Sequence, residues 1–168
     1  MGHADIVVRD CADELKQVLR FMPAPVAIIS SSDGEGRPVG LAVSALMPVS
    51  LDPCSISTAI NRSGPAHRHI LDTGEFCINL LGEEQVGEFV PFADPQRKSE
   101  RFGSDAWNSL QGIPYLAGAP ANVFCRVEAI STYGTHDIVI GRVFDLRSSD
   151  SPSSLGWCNG ALGYMVPV

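Results

Sequence analysis

The sequence predicts a mainly β fold: an antiparallel sheet of about six strands, closed into a small barrel, with short helices between the strands. Three observations lead there. Stretches of strand length, rich in β-branched and other apolar residues, recur along the chain. Two pairs of them flank tight turn sequences, Asp33-Gly34-Glu35-Gly36 and Tyr133-Gly134-Thr135-His136, and such hairpins pair antiparallel. Several hairpins on a chain of only 168 residues favour one compact β domain whose curling sheet covers its own edges. No internal repeat, low-complexity tract or composition shift divides the chain, so residues 1–168 read as a single domain.

The elements follow in order. Asp10 can cap a first helix, Asp13 and Glu14 suit the positive end of its dipole, and Leu15, Val18 and Leu19 recur at helical spacing before Pro23 and Pro25 end it. Residues 25–30 read as a strand, 33–36 as a turn and 37–46 as the returning strand. Leu51-Asp52-Pro53 turns the chain into a third strand, 54–60. Residues 66–71 read as a short helix ending near Gly74, 76–81 as a strand and 83–90 as another short helix. Residues 91–116, broken by Pro91, Pro95, Gly103, Gly112 and Pro114, read as a long irregular stretch. Such loops are uncommon in compact domains and are usually functional or disordered; Phe92, Phe102 and Trp107 lead to the expectation that this one packs on something. Residues 122–131 and 137–146 form the second hairpin, 148–154 a polar loop, and 155–166 a last strand weakened by Gly156, Gly160 and Gly163.

Bulk properties exclude several functions. The formal net charge of −7 and the short basic cluster Arg97, Lys98 and Arg101 argue against gripping nucleic acid, which needs a basic face. No apolar run approaches the ~20 residues of a membrane span. The opening MGHADIVVRD lacks a basic-then-apolar secretory pattern, which leads to a cytoplasmic expectation. Five cysteines, Cys11, Cys54, Cys77, Cys125 and Cys158, are odd in number and show no zinc spacing. Cys54, Cys77 and Cys125, inside strand-like stretches, are expected to be small core residues. His67 and His69 are expected on a helix surface or interface. There is no nucleophile elbow, phosphate-binding loop, zinc-protease helix or G-x-G-x-x-G fingerprint.

Six pieces in order do carry a signal. Pro25 to Ser31 reads PVAIISS, and residues 37–63 read RPVGLAVSALMPVSLDPCSISTAINRS: a glycine-led strand, small residues, a Ser-Leu-Asp-Pro turn and a strand ending Asn-Arg-Ser. GEFCINLL follows at 74–81 and GTHDIVIG at 134–141, with Gly160 to Tyr164 near the end. Over residues 18–166 this series resembles the flavin-reductase-like family, which includes the reductase components of two-component flavin monooxygenases. Ala42 stands where many relatives have Thr, Cys54 replaces the second proline of Pro-Pro, Thr135 replaces an acidic residue, and the final LGWCNGALGY is poorer in aromatics.

The resemblance implies a six-stranded split β-barrel that dimerises with flavin at the dimer interface. It implies hydride transfer from a nicotinamide cofactor to the flavin, and delivery of free reduced flavin by diffusion to a partner monooxygenase. The expected pair is FAD, with FMN the alternative, and NADH, since no arginine pair marks a 2′-phosphate. Val43, Ser44, Ala45, Leu46 and Met47 would line the ring, the small Ser44 and Ala45 admitting backbone N–H groups to its polar edge. Asn61, Arg62 and Ser63 would hold the flavin phosphate with help from the following helix N-terminus. Lys98, Arg101 and Phe102 would cover the flavin or hold its phosphate. His136, the candidate catalytic residue, would face the flavin and seat the nicotinamide, and Trp157 and Tyr164 would stack on nicotinamide or adenine. The rival readings are another FMN-dependent oxidase on the same barrel and a non-enzymatic flavin-binding electron carrier.

Overall fold

The computed structural model describes residues 10–150 and 153–165. The expectations for the opening residues 1–9, for 151–152 of the polar loop and for a strand end at Val166 lie outside that range.

Antiparallel strands dominate. β1 (Ala24–Pro25), β2 (Ala27–Ser32), β3 (Pro38–Val43), β4 (Leu46–Leu51) and β5 (Cys54–Asn61) precede α2 (His67–Thr73), which follows an earlier helix, α1 (Ala12–Leu19). Then come β6 (Glu75–Leu80), α3 (Val86–Ala93), the hairpin β7 (Trp107–Leu110) and β8 (Ile113–Leu116), the long hairpin β9 (Ala121–Tyr133) and β10 (His136–Ser148), and a last hairpin, β11 (Ser154–Cys158) and β12 (Ala161–Met165). The main sheet has seven strands in the order β3-β2-β6-β9-β10-β5-β4, one more than the six expected. The extra strand comes from the stretch read as one strand over 37–46. It breaks at Ser44-Ala45, and β4 pairs separately with β5. No ladder joins β3 to β4 among the described residues, so hydrogen bonds do not close the sheet.

The sheet nevertheless curls. Its two edge strands, β3 and β4, are consecutive in the chain and joined by only Ser44-Ala45. Inward-facing residues of distant strands share one core: Ala27 and Ile29 of β2, Val39, Leu41 and Val43 of β3, Leu46 of β4, Ile56 and Ile60 of β5, Phe76 and Ile78 of β6, and Val139 of β10. Packing is tight enough to dictate a glycine. A Cβ on Gly141 would lie 2.6 Å from the Phe76 ring and 2.8 Å from the Cys125 side chain.

The turn at 33–36 is built as its sequence suggests. The Asp33 carboxylate accepts from the N–H groups of Glu35 and Arg37 and from the Arg37 guanidinium, which hold its pKa down to about 2. Asp10 Oδ1 accepts from the Ala12 N–H at the start of α1. The apolar stripe Leu15, Val18 and Leu19 stays exposed.

Residues 91–116 are more ordered than expected. α3 continues through Pro91 to Ala93, a 3₁₀ segment spans Pro95–Glu100, and β7 and β8 pair. Phe92, Phe102 and Trp107 pack on one another with centroids 5.1, 5.9 and 4.5 Å apart. Phe102 holds a φ of 61°, a left-handed conformation costing a bulky residue roughly 1–3 kcal/mol. The platform for these rings is Gly40, where a Cβ would meet Ile29 O at 2.7 Å, Phe102 at 2.9 Å and Phe92 at 3.1 Å. Gly40→Ala is therefore expected to lower stability by about 1–3 kcal/mol, read from urea midpoints; an unchanged midpoint would show that the aromatic group can shift freely.

The last stretch, read as one strand, is the β11–β12 hairpin turning at Asn159-Gly160, with β11 also paired to β1. Cys77 and Cys125 are buried in the core as expected, and burial pushes the Cys125 thiol up to about 12. Cys54 is not a core residue. It is exposed at the tight β4–β5 turn, opposite Leu51 and one residue before β5 comes into register with β10.

Candidate functional site

The break between β3 and β4 opens a groove. Ser44, Ala45, Leu46 and Met47 form one wall, Ser57, Thr58 and Ala59 of β5 with Ile138 of β10 another, and Met22 to Pro25 a rim, enclosing about 310 Å³. Register explains the lining. Met47 pairs with Ser57, and Ala59 with Ile138, so these residues share the outer face of the sheet. The walls are apolar, with polar groups confined to the backbone and to the hydroxyl-bearing Ser44, Ser57 and Thr58. The carbonyls of Ser44 and Ala45 accept from Leu46 and Ala59 N–H, whereas the N–H groups of Ser44 and Ala45 have no backbone acceptor among the described residues. Thr58, between Ser57 and Ala59, turns its side chain to the inner face with Ile56 and Ile60; it is 2% exposed and its Oγ1 is buried without a hydrogen-bond partner. A flat ring with apolar faces and a polar edge fits these donors and walls. A smaller pocket shares Val43 and Ser44 with this groove and adds Val26, Ala42, Phe89 and Trp157.

His136 opens β10 directly opposite Asn61 of β5 and Tyr133 of β9. It is half-buried, two residues before Ile138 and on the same outer face, so it stands beyond the end of the groove. Its Nδ1 is 2.9 Å from Thr135 Oγ1, and its Nε2 has no partner among the described residues. The loop after β5 is held to the same strand end by Arg62 N–H donating to Thr135 O. Asn61 shapes that loop: its Oδ1 accepts from the Ser63 N–H at 2.9 Å and the Ser63 hydroxyl at 2.8 Å. The Ser63 hydrogen is thus already used inside the turn, while the Asn61 amide and the Arg62 guanidinium stay exposed.

Beneath His136, on the inner face, Asp137 is 5% exposed. It accepts from Thr132 Oγ1 at 2.6 Å and lies 2.7 Å from His67 Nε2. The Thr132 hydroxyl and the His67 imidazole hold its carboxyl below the usual range. That contribution to stability is complete above the ordinary carboxylate range and is lost as pH falls through the lowered pKa. The pair corrects the expectation for His67: it is no surface residue, but ties α2 to β10. Nothing local in HRHIL revealed this, because Asp137 is seventy residues away.

Lys98, Arg101 and Phe102 do gather, but in a second pocket with Pro38 to Gly40, Pro65, Ala66 and His69, of about 240 Å³. His69, expected on the surface or an interface, is half-buried here. Arg101 is mostly occupied: its guanidinium donates to Pro91 O and Phe92 O and lies over the Phe92 ring. Tyr164 sits on β12 opposite Leu155 and lines neither pocket nor the groove. Of the expected contacts, then, the structure brings together 44–47 in the groove, 43, 44 and 157 beside it, 61–63 with His136 at one strand end, and 98, 101 and 102 apart.

Among the described residues no group of three or more His, Cys, Asp or Glu is placed to hold a metal, and no helix is long and apolar enough to cross a membrane.

Comparison with known proteins converges on one family. The reductase component of an FADH(2)-dependent resorcinol hydroxylase from Rhizobium sp. (strain MTP-10005) is 30% identical over 92% of this chain and 87% of its own. An FMN reductase (NADH) of Rhizobium rhizogenes (strain K84) is 34% identical over 85% of each chain. The solved structure of a nitrilotriacetate monooxygenase component B homologue from Mycobacterium thermoresistibile superposes with a TM-score of 0.83 at 26% identity, covering 94% of this chain and 89% of that one. The sequence model of the flavin reductase like domain matches residues 19–165, and on that match the chain belongs to the flavin-reductase-like family.

Proposed function

We propose that the protein is an NADH-dependent flavin reductase that supplies free reduced flavin to a separate monooxygenase. The observation that carries this reading is the apolar groove at the β3–β4 break, with its Ser44 and Ala45 N–H groups that have no backbone acceptor among the described residues. A flavin held there by these residues would supply the hydride acceptor for a reduced nicotinamide, which would leave as NAD⁺. The chain's own work is positioning. Small residues let backbone donors reach the ring edge, apolar walls exclude water, and the exposed Asn61 amide and Arg62 guanidinium offer donors to a phosphate. No nucleophile or strong acid is called for. Relatives named as reductase components of a resorcinol hydroxylase and of a stachydrine N-demethylase support the separate monooxygenase.

The reading includes a split-barrel homodimer in the cytoplasm. Supporting the dimer are exposed apolar residues on the sheet beside the groove, among them Met47, Leu51, Tyr133 and Ile138, a patch that a soluble monomer rarely leaves open. All five cysteines are free, as reducing surroundings favour. Sedimentation should give a dimer, and a fully active monomer would remove this part of the proposal.

The deciding assay is NADH consumption with added FAD, FMN or riboflavin. Many turnovers per protein on free flavin support the reductase. A single turnover on tightly held FMN would favour an electron carrier instead, and oxidation of a substrate other than NADH by bound FMN would favour an oxidase. His136→Ala should slow flavin reduction, or raise the Michaelis constant for NADH, by about 5- to 30-fold, the scale of one hydrogen bond made in the stacked complex. Flavin affinity should change less. Anaerobic rapid mixing with NADH reads this out, and wild-type rates would reduce His136 to a turn residue.

A further inference from the structure

We propose that the buried His67–Asp137 pair positions the loop between β5 and α2, holding Asn61 and Arg62 where a flavin phosphate meets them. The proposal rests on the flavin reading of the groove and adds to it two residues that touch no ligand themselves.

The loop is short and is tied to β10 at both ends. At its start, Asn61 pairs with His136, and the Arg62 N–H donates to Thr135 O at 3.0 Å. Inside it, the Gly64 N–H donates to Asn61 O at 2.9 Å, and a Cβ on Gly64 would lie 2.9 Å from that oxygen. A turn this tight has little slack, so a shift at its exit is passed to its donors. At the exit, Ala66 is fully buried and the His67 imidazole reaches across to Asp137. The seven-residue α2 has no side-chain cap hydrogen bond at its start. Its placement therefore depends on the packing of Ala66 and on that tertiary bond.

The pair is well satisfied. His67 Nε2 lies 2.7 Å from Asp137 Oδ2, with side chains 13% and 7% exposed. A carboxylate only accepts, so the imidazole nitrogen is the donor. Thr132, opposite Asp137 on β9, donates to the other oxygen at 2.6 Å. Both carboxylate oxygens are thus occupied. Arg62 stands near enough that its charge adds to the Thr132 and His67 hydrogen bonds in lowering the Asp137 pKa. Losing His67 would free Oδ2 to draw that guanidinium inward, away from a ligand phosphate. Well-packed apolar residues could fasten α2 about as firmly as the pair does, but they would neither fix the direction of the bond nor balance the charge of Arg62.

The test compares FMN with riboflavin, which has the same ring and no phosphate, on the full chain. His67→Phe and the double variant His67→Phe/Asp137→Leu remove the bond, while His67→Gln keeps a side-chain N–H; circular dichroism and urea midpoints follow folding. The double variant leaves no buried carboxylate unpaired, so it should fold even where His67→Phe alone does not. By fluorescence titration both should raise the FMN dissociation constant about tenfold, the factor for one lost hydrogen bond to a charged group, and move riboflavin by less than about twofold. His67→Gln should stay within about threefold of wild type for FMN. If the variants keep the wild-type ratio of FMN to riboflavin affinity, whatever their urea midpoints, the pair is a structural tie and the proposal is overturned. Loss of the ratio in His67→Gln as large as in His67→Phe overturns it too, because the hydrogen bond would then not be the cause. If wild type itself binds FMN no more tightly than riboflavin, the loop is not the phosphate site, and the proposal falls with that reading.

Discussion

Replacing Asn79 by alanine is expected to cost about 3–5 kcal/mol of stability, the scale of a broken buried polar network. Asn79 is fully buried in β6. Its amide donates to Ile28 O at 2.8 Å and Ser30 Oγ at 2.9 Å, and its Oδ1 accepts from Leu116 N–H at 2.7 Å and Asn122 Nδ2 at 3.0 Å. Ser30 in turn donates to Pro114 O at 2.5 Å, and Asn122 to Leu116 O at 3.1 Å. One side chain thus fastens β8 across β2 and β6. Alanine would leave the Leu116 N–H without its acceptor, and the Ser30 and Asn122 side chains without a shared partner, all out of reach of water. The damage should also reach the second pocket, because Ala117 N–H binds Ala106 O in the segment that carries Phe102 and Trp107. Urea unfolding measures the cost; a loss below about 1 kcal/mol would mean that water enters and satisfies the orphaned groups.

Asn79 also illustrates what the sequence discloses. As the Asn of GEFCINLL it was visible as part of a family pattern, but its partners sit at 28, 30, 116 and 122. Local features read well. Gly134-Thr135 turns β9 into β10, Gly74 ends α2, and Asp33 organises its turn, since each depends on residues within a few positions. Features set by tertiary contact did not. The β3–β4 break falls inside an unbroken run of small and apolar residues, LAVSALM, so periodicity passes over it. β7 and β8 hide among prolines and glycines because the packing of Trp107 and Ile113, not propensity, makes them strands. Cys54 looked like core because its strand did, yet it sits at the exposed first position of β5, in the turn from β4. The groove was legible only through the family resemblance, which also named Lys98, Arg101 and Phe102 of one pocket and Val43 and Trp157 of the other but not that they line separate cavities.

Filling the groove should have the largest functional effect. Ala59 is the small residue that keeps it open: it lines the groove opposite Ser44 to Met47, and its N–H binds Ala45 O. In Ala59→Trp an indole would project from the outer face of β5 into the space assigned to the flavin ring. Ala59 is half-buried and outward-facing, so the core need not repack, and stability should move by no more than about 0.5 kcal/mol. Flavin affinity, by contrast, should fall on the order of a hundredfold for FAD, FMN and riboflavin alike, since all three present the same ring and all lose the slot. Uniform loss across the three separates this substitution from changes in the phosphate loop, which riboflavin cannot feel. Titration of each flavin against the folded variant provides the measurement. Undiminished binding would move the ring out of this groove and into the neighbouring pocket of Val26, Ala42, Phe89 and Trp157, where Ala42→Trp would become the blocking substitution and His136 would lie too far along β10 to meet the nicotinamide.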